Sequence, residues 1–186
     1  MNDGRQLTIP VRPEDHAQGN ASAAVTLLEY GDYQCPYCGA AYPVVKELQR
    51  RFGSELRFVF RNFPLTQAHP LAQMAAELAE AAAAQGKFWP MHDWIYENQP
   101  QWTEAGEEAL LEGIVAVGLD TSALERALKQ PQIAQHIKAD FNGGVRSGVN
   151  GTPSFFINGR LHQGAPQALA KEIEHAIRAP LPTGGG

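Results

Sequence analysis

The sequence contains very little cysteine and no long apolar run, and its charged residues are few. Its 186 residues include only two cysteines, and 19% of them are Asp, Glu, Lys or Arg. A chain of this length with 44% hydrophobic residues can bury a core that folds without disulfide staples or a structural metal. The two cysteines are therefore not needed for stability and are available for chemistry.

The sequence also lacks the features of membrane and nucleic-acid-binding proteins. No apolar run approaches the roughly 20 residues that cross a bilayer, so no membrane span is predicted. The formal net charge of −5 argues against a nucleic-acid partner, which would require clustered Lys and Arg. Residues 1–21 are predicted to be a polar leader without the apolar centre of a secretory signal, which favours a cytoplasmic location. If a signal has been removed, a periplasmic or other extracytoplasmic location is expected instead.

Hydrophobic spacing predicts mixed α/β structure at both ends of the chain. The predicted elements are a strand at 25–30, a helix at 36–52, a strand at 56–60, a hairpin at 154–163 and a helix at 166–177. Between them, nearly every segment from 69 to 139 has helical spacing. The order is therefore βαβ, a helical block, then ββα.

This order predicts one α/β domain with an insertion. Residues 22–65 and 148–180 can form a single mixed sheet with helices on its faces. Residues 66–147 then form an inserted, all-helical subdomain.

Both cysteines lie at the turn between the first predicted strand and the first predicted helix. A disulfide between Cys35 and Cys38 would close a ring too small to stabilise the fold. Positions three apart on a helix share a face, so two thiols there can form and break a disulfide with little backbone movement. The helix N-terminus would stabilise a thiolate at Cys35. The turn would hold the pair near the surface, with Cys38, one turn inside the helix, shielded. The pattern predicts a redox dithiol with Cys35 as the attacking thiol and Cys38 as the resolving one.

A metal site is the structural alternative for a cysteine pair. A zinc site would need two more ligands, and the six histidines, at 16, 69, 92, 136, 162 and 175, form no H-x3–5-H pair. No metal is predicted, although a site assembled from distant histidines stays open. No Walker loop and no G-x-G-x-x-G is present, so no cofactor is predicted.

Four stretches of the sequence carry a resemblance to a known family. They read LLEYGDYQCPYCG (27–39), FVFRNFPL (58–65), HPLAQMAAELAEAAAAQGKFWPMHDWIYENQ (69–99) and VNGTPSFFINGR (149–160), and with their surroundings they cover roughly residues 22 to 178. In this order they resemble the DsbA-like thiol–disulfide oxidoreductases of the thioredoxin superfamily. The resemblance implies a thioredoxin fold with a helical insertion, and an enzyme that exchanges disulfides with protein thiols. It also implies a second redox partner that resets the dithiol, and the sequence does not identify that partner.

The resemblance assigns roles to residues outside the cysteine pair. It implies that the peptide bond between Thr152 and Pro153 is cis and lies in a loop that faces the dithiol and holds substrate backbone. Without the resemblance, the Thr-Pro dipeptide alone would predict a trans bond, since only about 5–6% of X–Pro bonds in folded proteins are cis. Pro153 is thus both a catalytic and a substrate-binding candidate, and Thr152 a substrate-binding one. It further implies that Glu29 is a buried acid that relays the proton of Cys38. The alternative for Glu29 is a solvated carboxylate.

The two residues between the cysteines are expected to tune the redox potential. The family's best-known periplasmic oxidant has Pro-His here, and its histidine can become cationic. Tyr37, which follows Pro36, cannot supply that charge, so a less extreme potential is expected. The same C-P-Y-C occurs in glutaredoxins, so a glutathione-linked enzyme is one alternative. The other is a thioredoxin-fold binding module without catalysis.

The remaining candidate site residues are two histidines, an aromatic cluster and two residues after the second predicted strand. His69 and His92 are expected to be hydrogen-bonded structural histidines, and the aromatic and Met cluster at 88–94 is expected in the core. Phe63 and Pro64 are expected to line the substrate groove.

Overall fold

Two parallel strands at the centre of a five-stranded mixed sheet form the frame of the fold. In the computed structural model, which describes residues 5–179, strands β2 (Val25–Gly31) and β3 (Leu56–Asn62) pair in parallel. Helix α1 (Pro36–Phe52) connects them, which confirms the predicted βαβ unit. Nearly every side chain of the two strands is buried, as expected for parallel strands covered on both faces.

Three shorter strands complete the sheet. Strand β1 (His16–Gln18) pairs antiparallel with β3, β4 (Ser154–Ile157) pairs antiparallel with β2, and β5 (Arg160–Leu161) pairs antiparallel with β4. The order across the sheet is β1-β3-β2-β4-β5. The predicted hairpin turn is confirmed, because Asn158 and Gly159 have φ values of 47° and 80°, as a two-residue hairpin turn of type I′ requires.

Helices fill the chain between β3 and β4. They are α2 (Ala72–Ala83), α3 (Phe88–Glu97), α4 (Gln99–Ala105), α5 (Glu107–Ala116), α6 (Thr121–Leu128) and α7 (Pro131–Arg146). After β5, a short 3-10 turn leads into α8 (Leu169–Arg178). The inserted helical block and the ββα end are thus confirmed, while the division at residues 66 and 147 stays a prediction. Among the described helices, none has both the length and the apolar character to cross a membrane.

The start of helix α1 determines where the cysteines lie. Pro36 occupies the first helical position, where its missing N–H leaves no partner unsatisfied. Cys35 is therefore the N-cap residue, and Cys38 lies in the first turn. The inner face of the helix, with Ala41, Val45 and Leu48, packs into the main core. The helix thus holds its N-terminus against the end of the sheet.

The main core contains the aromatic cluster that the sequence analysis predicted to be structural. Phe88 and Met91 are buried, and Trp89 and Trp94 are partly buried against the same core. On the opposite side of the sheet, a smaller core contains Phe63, whose ring stacks on Phe141. Phe63 therefore belongs to the interior, and its predicted place in the substrate groove is wrong.

A buried ion pair connects the chain before β1 to the sheet. Arg61 Nη2 lies 2.7 Å from Asp15 Oδ2, and both side chains are 1% exposed. Arg61 also donates to the hydroxyl of Tyr30 and to the backbone carbonyls of Ile9 and Pro10. This guanidinium therefore holds residues 9–15 against β3.

Candidate functional site

Two free cysteines lie at the N-terminus of α1, with the Cys38 thiol placed to donate a hydrogen bond to Cys35 when that sulfur is ionised. As a neutral thiol, Cys35 Sγ donates to the carbonyl of Thr152 at 3.4 Å. Cys35 is less accessible than the sequence predicted, because it is only 3% exposed, whereas Cys38 is fully buried, as expected for the shielded thiol. The loop at Thr152 covers the sulfur that was expected at the surface.

The surroundings of Cys35 favour its thiolate. The hydrogen bond from the Cys38 thiol, which is the largest effect, lowers the pKa of Cys35 to about 5. Burial opposes this shift, while the backbone N–H groups of Tyr37 and Cys38 support it. The hydroxyl of Thr152 has no partner beside the neutral thiol, and it can rotate to donate to the thiolate. Cys35 is therefore largely ionised at neutral pH.

The second thiol has the opposite tendency. Burial, the hydrogen bond that Cys38 donates to Cys35, and the charge of Glu29 raise its pKa well above the ordinary value. One backbone contact acts in the other direction, because the N–H of Asp32 lies 3.4 Å from Cys38 Sγ. Two identical side chains thus differ in acidity: at neutral pH Cys35 favours the thiolate, which no longer donates to Thr152, and Cys38 favours the thiol.

Glu29 is a buried acid on β2, and the solvated alternative is excluded by its 3% exposure. Burial raises the pKa of Glu29 to about 8, and the negative charge of Cys35 adds to the effect. The carboxyl is therefore mostly protonated at neutral pH. Because its charge also acts on Cys38, it lies within electrostatic reach of both sulfurs.

The loop opposite the dithiol carries the cis bond that the resemblance implied. The peptide bond between Thr152 and Pro153 is cis. A groove of about 380 Å³ lies beside it. The groove is lined by Tyr37, Ala40, Ala41, Thr152, Pro153, Pro166 and Gln167. Tyr37 is 73% exposed, so the residue between the cysteines stands at the edge of this groove. Pro64 lines a separate groove with Thr66 and Phe141 instead.

One buried carboxylate that the sequence analysis missed organises the turn before α1. Asp32 Oδ1 accepts from the backbone N–H groups of Gln34 at 2.8 Å and Cys35 at 3.2 Å. Its Oδ2 accepts from the N–H of Leu65 at 2.8 Å and from His69 Nδ1 at 2.7 Å. An Asp three residues before the helix N-cap is a capping-type signal that could have identified it.

Gln99 supports the same turn from the insertion. Its Nε2 donates to the carbonyl of Tyr33 at 2.7 Å and to that of Cys35 at 2.9 Å. Gly39 permits this approach, since a Cβ at that position would lie 2.0 Å from Gln99 Oε1. No local sequence signal marks Gln99, because its partners lie more than 60 residues away along the chain.

The two histidines near the dithiol have the structural roles that were predicted. His69 is the partner of Asp32. His92 is buried and hydrogen-bonded to the hydroxyl of Tyr33 at 3.0 Å. Burial lowers the pKa of His92 well below its ordinary value, so this ring stays neutral.

Comparison with known proteins gives a family and a fold. Residues 12–178 match the family model described as Thioredoxin. The chain is 30% identical to a thioredoxin-like oxidoreductase from Silicibacter pomeroyi DSS-3, with a TM-score of 0.73 over 91% of this chain and 95% of that one. It is 20% identical to BdbD from Bacillus subtilis, with a TM-score of 0.79 over 95% and 98%. For α-DsbA1 from Wolbachia pipientis the identity is 21% and the TM-score is 0.77, and the match covers 92% of this chain and 94% of that one. These last two likenesses show the fold.

A second group of relatives consists of much longer proteins. The chain is 45% identical over 174 residues to a protein of Salinispora arenicola named Na(+)/H(+) antiporter NhaA 1, covering 92% of this chain and 26% of that protein. It is 38% identical over 164 residues to the NhaA antiporter of Herminiimonas arsenicoxydans, covering 87% and 25%. The chain therefore spans about a quarter of the length of these curated relatives. The antiporter name refers to the whole of each longer protein, and this chain matches only about a quarter of it.

Proposed function

The chain belongs to the thioredoxin family as a DsbA-like member with a helical insertion, and from this premise we propose that it exchanges disulfides with protein thiols through Cys35 and Cys38. The observation that carries the proposal is the difference between the two sulfurs. The pKa of Cys35 is lowered to about 5, and that of its neighbour Cys38 is raised. A thiol-exchange enzyme needs this difference, because one sulfur must be a good nucleophile and leaving group while the other stays protonated until it resolves the mixed disulfide.

In the oxidative direction the reaction starts from the Cys35–Cys38 disulfide. A substrate thiolate attacks Cys35 Sγ, the S–S bond breaks, and its electron pair goes to Cys38 Sγ. Glu29, protonated at neutral pH, supplies the proton that Cys38 takes up. A second substrate thiolate then attacks the substrate sulfur of the mixed disulfide, and Cys35 leaves as a stabilised thiolate. The substrate dithiol is oxidised to a disulfide by two electrons, and the cysteine pair is reduced.

The stabilised thiolate favours this direction. A low pKa at Cys35 stabilises the reduced enzyme, which makes the disulfide form a better oxidant. Pro36 and Tyr37 occupy the positions that tune the potential, and Tyr37 brings no positive charge, so we expect a moderate oxidant. Oxidation requires an oxidising compartment, which favours the extracytoplasmic location over the cytoplasmic one. One solved relative, 17% identical with a TM-score of 0.74, is described as a periplasmic thioredoxin-like protein from Salmonella enterica serovar Typhimurium.

Substrate is proposed to bind in the groove beside the cis bond. Thr152, Pro153 and Tyr37 line this groove, and the carbonyl of Thr152 lies 3.4 Å from Cys35 Sγ. Pro153 has no N–H of its own, so the neighbouring backbone is free to pair with an extended peptide. Because the carbonyl of Thr152 already contacts Cys35, binding there would place a substrate cysteine against the reactive sulfur.

The test is oxidation of a reduced two-cysteine peptide, with Cys35→Ser and Cys38→Ser as a matched pair. We expect Cys35→Ser to abolish exchange. Cys38→Ser, supplied with the oxidised form of the peptide, should trap a mixed disulfide, because its Cys35 thiolate attacks the peptide disulfide and releases one peptide thiolate. Equilibration of the parent with glutathione should give a potential between about −120 mV, typical of a strong oxidant, and about −270 mV, typical of a reductase. Exchange by Cys35→Ser at the parental rate would exclude the mechanism. Turnover with glutathione but not with the peptide would favour the glutathione-linked alternative, and no turnover with either would favour the binding module.

A further inference from the structure

Two histidines and a glutamate from three distant elements converge on the side of the sheet near β1. His16 lies on β1, Glu80 on α2 and His136 on α7. One ligand atom from each of them lies within 4.8 Å of the other two. Their side chains are 16%, 7% and 25% exposed, so the cluster is largely enclosed by protein. It is separate from the dithiol and has no part in the proposed exchange reaction.

The spacing of these atoms is close to that of a metal site. His16 Nε2 lies 2.9 Å from Glu80 Oε2, and His136 Nε2 lies 3.7 Å from Glu80 Oε1. In a tetrahedral zinc site with bonds of about 2.0–2.1 Å, neighbouring ligand atoms are about 3.3 Å apart. All three ligand atoms lie within 4.8 Å of one another, so side-chain shifts of at most about 1.5 Å would bring them around one ion. Two imidazole nitrogens and one carboxylate oxygen are a donor set that suits zinc and leaves a fourth position for water.

Neighbouring groups already orient these side chains. Asn62 Nδ2 donates to Glu80 Oε1 at 2.7 Å, and the ring of His16 stacks on that of Phe88 with centroids 3.4 Å apart. His136 Nε2 lies 3.5 Å from Asp140 Oδ2, which accepts from the backbone N–H of Asn62 at 3.1 Å. The contacts to Glu80 and His16 help to fix two of the ligands, whereas Asp140 contacts the same His136 nitrogen that would bind the ion.

Two polar atoms at the edge of the cluster are buried without a hydrogen-bond partner. They are Asn62 Oδ1 and Asp140 Oδ1, and both residues are at least 98% buried. A buried acceptor without a partner is costly, and a water held by a metal ion could donate to it. Glu80 is a buried carboxylate as well, and within residues 5–179 its ion-pair partners are the two histidines. A divalent cation would compensate this buried negative charge.

We propose that His16, Glu80 and His136 bind one zinc ion that joins the edge strand β1 to helices α2 and α7. The ion would connect the chain before β2 to both ends of the helical insertion. Its role is structural, because it lies away from the sulfurs and cross-links elements that are far apart in sequence. Zinc bound only to the folded chain stabilises that state by mass action.

The test uses the Cys35→Ser/Cys38→Ser double variant, so that thiols do not compete for the metal. Zinc chloride alone is the probe for titration calorimetry and metal analysis, and cobalt(II) is the probe for absorption spectroscopy. We expect one ion per chain, a tetrahedral cobalt spectrum, and a higher melting temperature with zinc. In the same background, His16→Gln and His136→Gln should each weaken zinc binding at least tenfold.

The matched control is His175→Gln, which changes an exposed histidine on α8 and should bind zinc as its parent does. If the histidine variants fail to fold, Glu80→Gln provides a second measurement, since glutamine keeps the shape and can still accept from Asn62. Circular dichroism checks its fold, and its zinc affinity should fall at least tenfold. The proposal is overturned if the double variant binds no zinc. It is also overturned if the folded His16, His136 or Glu80 variants keep their affinity. Neither result bears on disulfide exchange, which is measured separately in the parent protein.

Discussion

At the scale of single residues, hydrogen bonding and burial act in opposite directions on the two sulfurs. The Cys38 thiol donates to Cys35 and so stabilises the Cys35 thiolate, whereas burial penalises a charge on Cys38 itself. The same proton therefore both activates the first sulfur and keeps the second neutral. The lowered pKa of Cys35 depends first on the hydrogen bond from Cys38, and the raised pKa of Cys38 depends first on burial.

Removing that hydrogen bond should raise the pKa of Cys35. In the parent, the rate of alkylation at Cys35 should follow a titration centred at about 5 and stay level above neutral pH. Cys38→Ala removes the largest cause of the shift, so the titration should move to higher pH. Cys38→Ser keeps a hydroxyl donor and serves as the matched control, with a smaller shift. Rates of alkylation across pH measure the effect, and identical titrations in the parent and Cys38→Ala would contradict this account.

Glu29→Gln should stabilise the chain more at high pH than at low pH. Burial raises the pKa of Glu29 from 4.5 to about 8, so the folded state holds a proton that the unfolded state releases. The stability from this proton is fully present below pH 4.5 and is lost as pH rises through about 8. Glutamine cannot ionise, so the variant escapes this loss.

Urea unfolding of the parent and the variant at about pH 5 and about pH 8.5 measures the difference. Glu47→Gln, at an exposed position of α1, is the control and should show no such trend. If the free energies of unfolding of the parent and Glu29→Gln differ by the same amount at both pH values, the pKa of Glu29 is not raised by folding. The variant should also slow formation of the mixed disulfide, since it cannot pass a proton to the Cys38 sulfur that leaves in that step.

At the scale of elements, helix α1 and the start of α4 approach closely at a glycine. Gly39 lies in the first turn of α1, directly beside the side chain of Gln99. Gln99 in turn holds the backbone of Tyr33 and Cys35. The insertion therefore helps to fix the position of the reactive cysteine.

Gly39→Ala should destabilise the chain although alanine favours helices. Helix propensity alone predicts a gain of about 1 kcal/mol. The new Cβ would lie 2.0 Å from Gln99 Oε1, and such overpacking costs about 1–3 kcal/mol. We expect a net loss of stability and slower exchange, because the carbonyl of Cys35 loses its donor. Gln99→Ala, made alone and together with Gly39→Ala, completes a double-mutant cycle. If Gly39→Ala costs as much in the Gln99→Ala background as in the parent, the contact with the glutamine side chain is not its cause.

Elements with strong hydrophobic periodicity were predictable, and elements without it were not. Helix α1 begins and ends where its Pro and Gly predicted, and the parallel strands follow their apolar runs. Strand β1 was missed within residues 1–21, because the three residues His-Ala-Gln carry no alternating pattern. The cysteine pair was found from its spacing alone. Asp32 was missed although it precedes a helix, and Gln99 could not be found, since its contacts depend on how the insertion packs.

At the scale of the whole molecule, polar contacts connect the N-terminal segment to the rest of the chain. The Arg61 guanidinium holds Asp15, Tyr30 and the carbonyls of Ile9 and Pro10 in one buried network. These residues precede β2 or belong to the central strands, and no predicted helix or strand covers residues 9–15. The fold therefore extends further toward the N-terminus than hydrophobic patterns indicate.

Asp15→Asn should destabilise the chain at neutral pH by about 3–5 kcal/mol, because it leaves the buried Arg61 charge without a counter-ion. Burial raises the pKa of Asp15, but the stronger combined effect of Arg61 and Arg12 holds it below 3.8. A lowered pKa gives stability that is present above the unfolded value and is lost as pH falls through the folded one. The loss in free energy of unfolding that Asp15→Asn causes should therefore become smaller at acid pH.

Denaturant unfolding at neutral pH and at about pH 3 tests this prediction. Glu14→Gln changes the neighbouring, exposed carboxylate and should have little effect at either pH. A deficit for Asp15→Asn that stays constant down to acid pH would show that the ion pair does not titrate as expected.

The cover that the Thr152 loop forms over Cys35 also bears on damage by peroxide. A thiolate with a pKa of about 5 is easily oxidised to sulfenic acid when it is exposed to solvent. Cys35 is only 3% exposed, so peroxide has little access to it. A sulfenic acid that did form there would contact the Cys38 thiol before a second oxidant molecule arrived. Condensation with that thiol releases water and yields the Cys35–Cys38 disulfide of the proposed exchange reaction, so the arrangement protects Cys35 from irreversible oxidation to sulfinic acid.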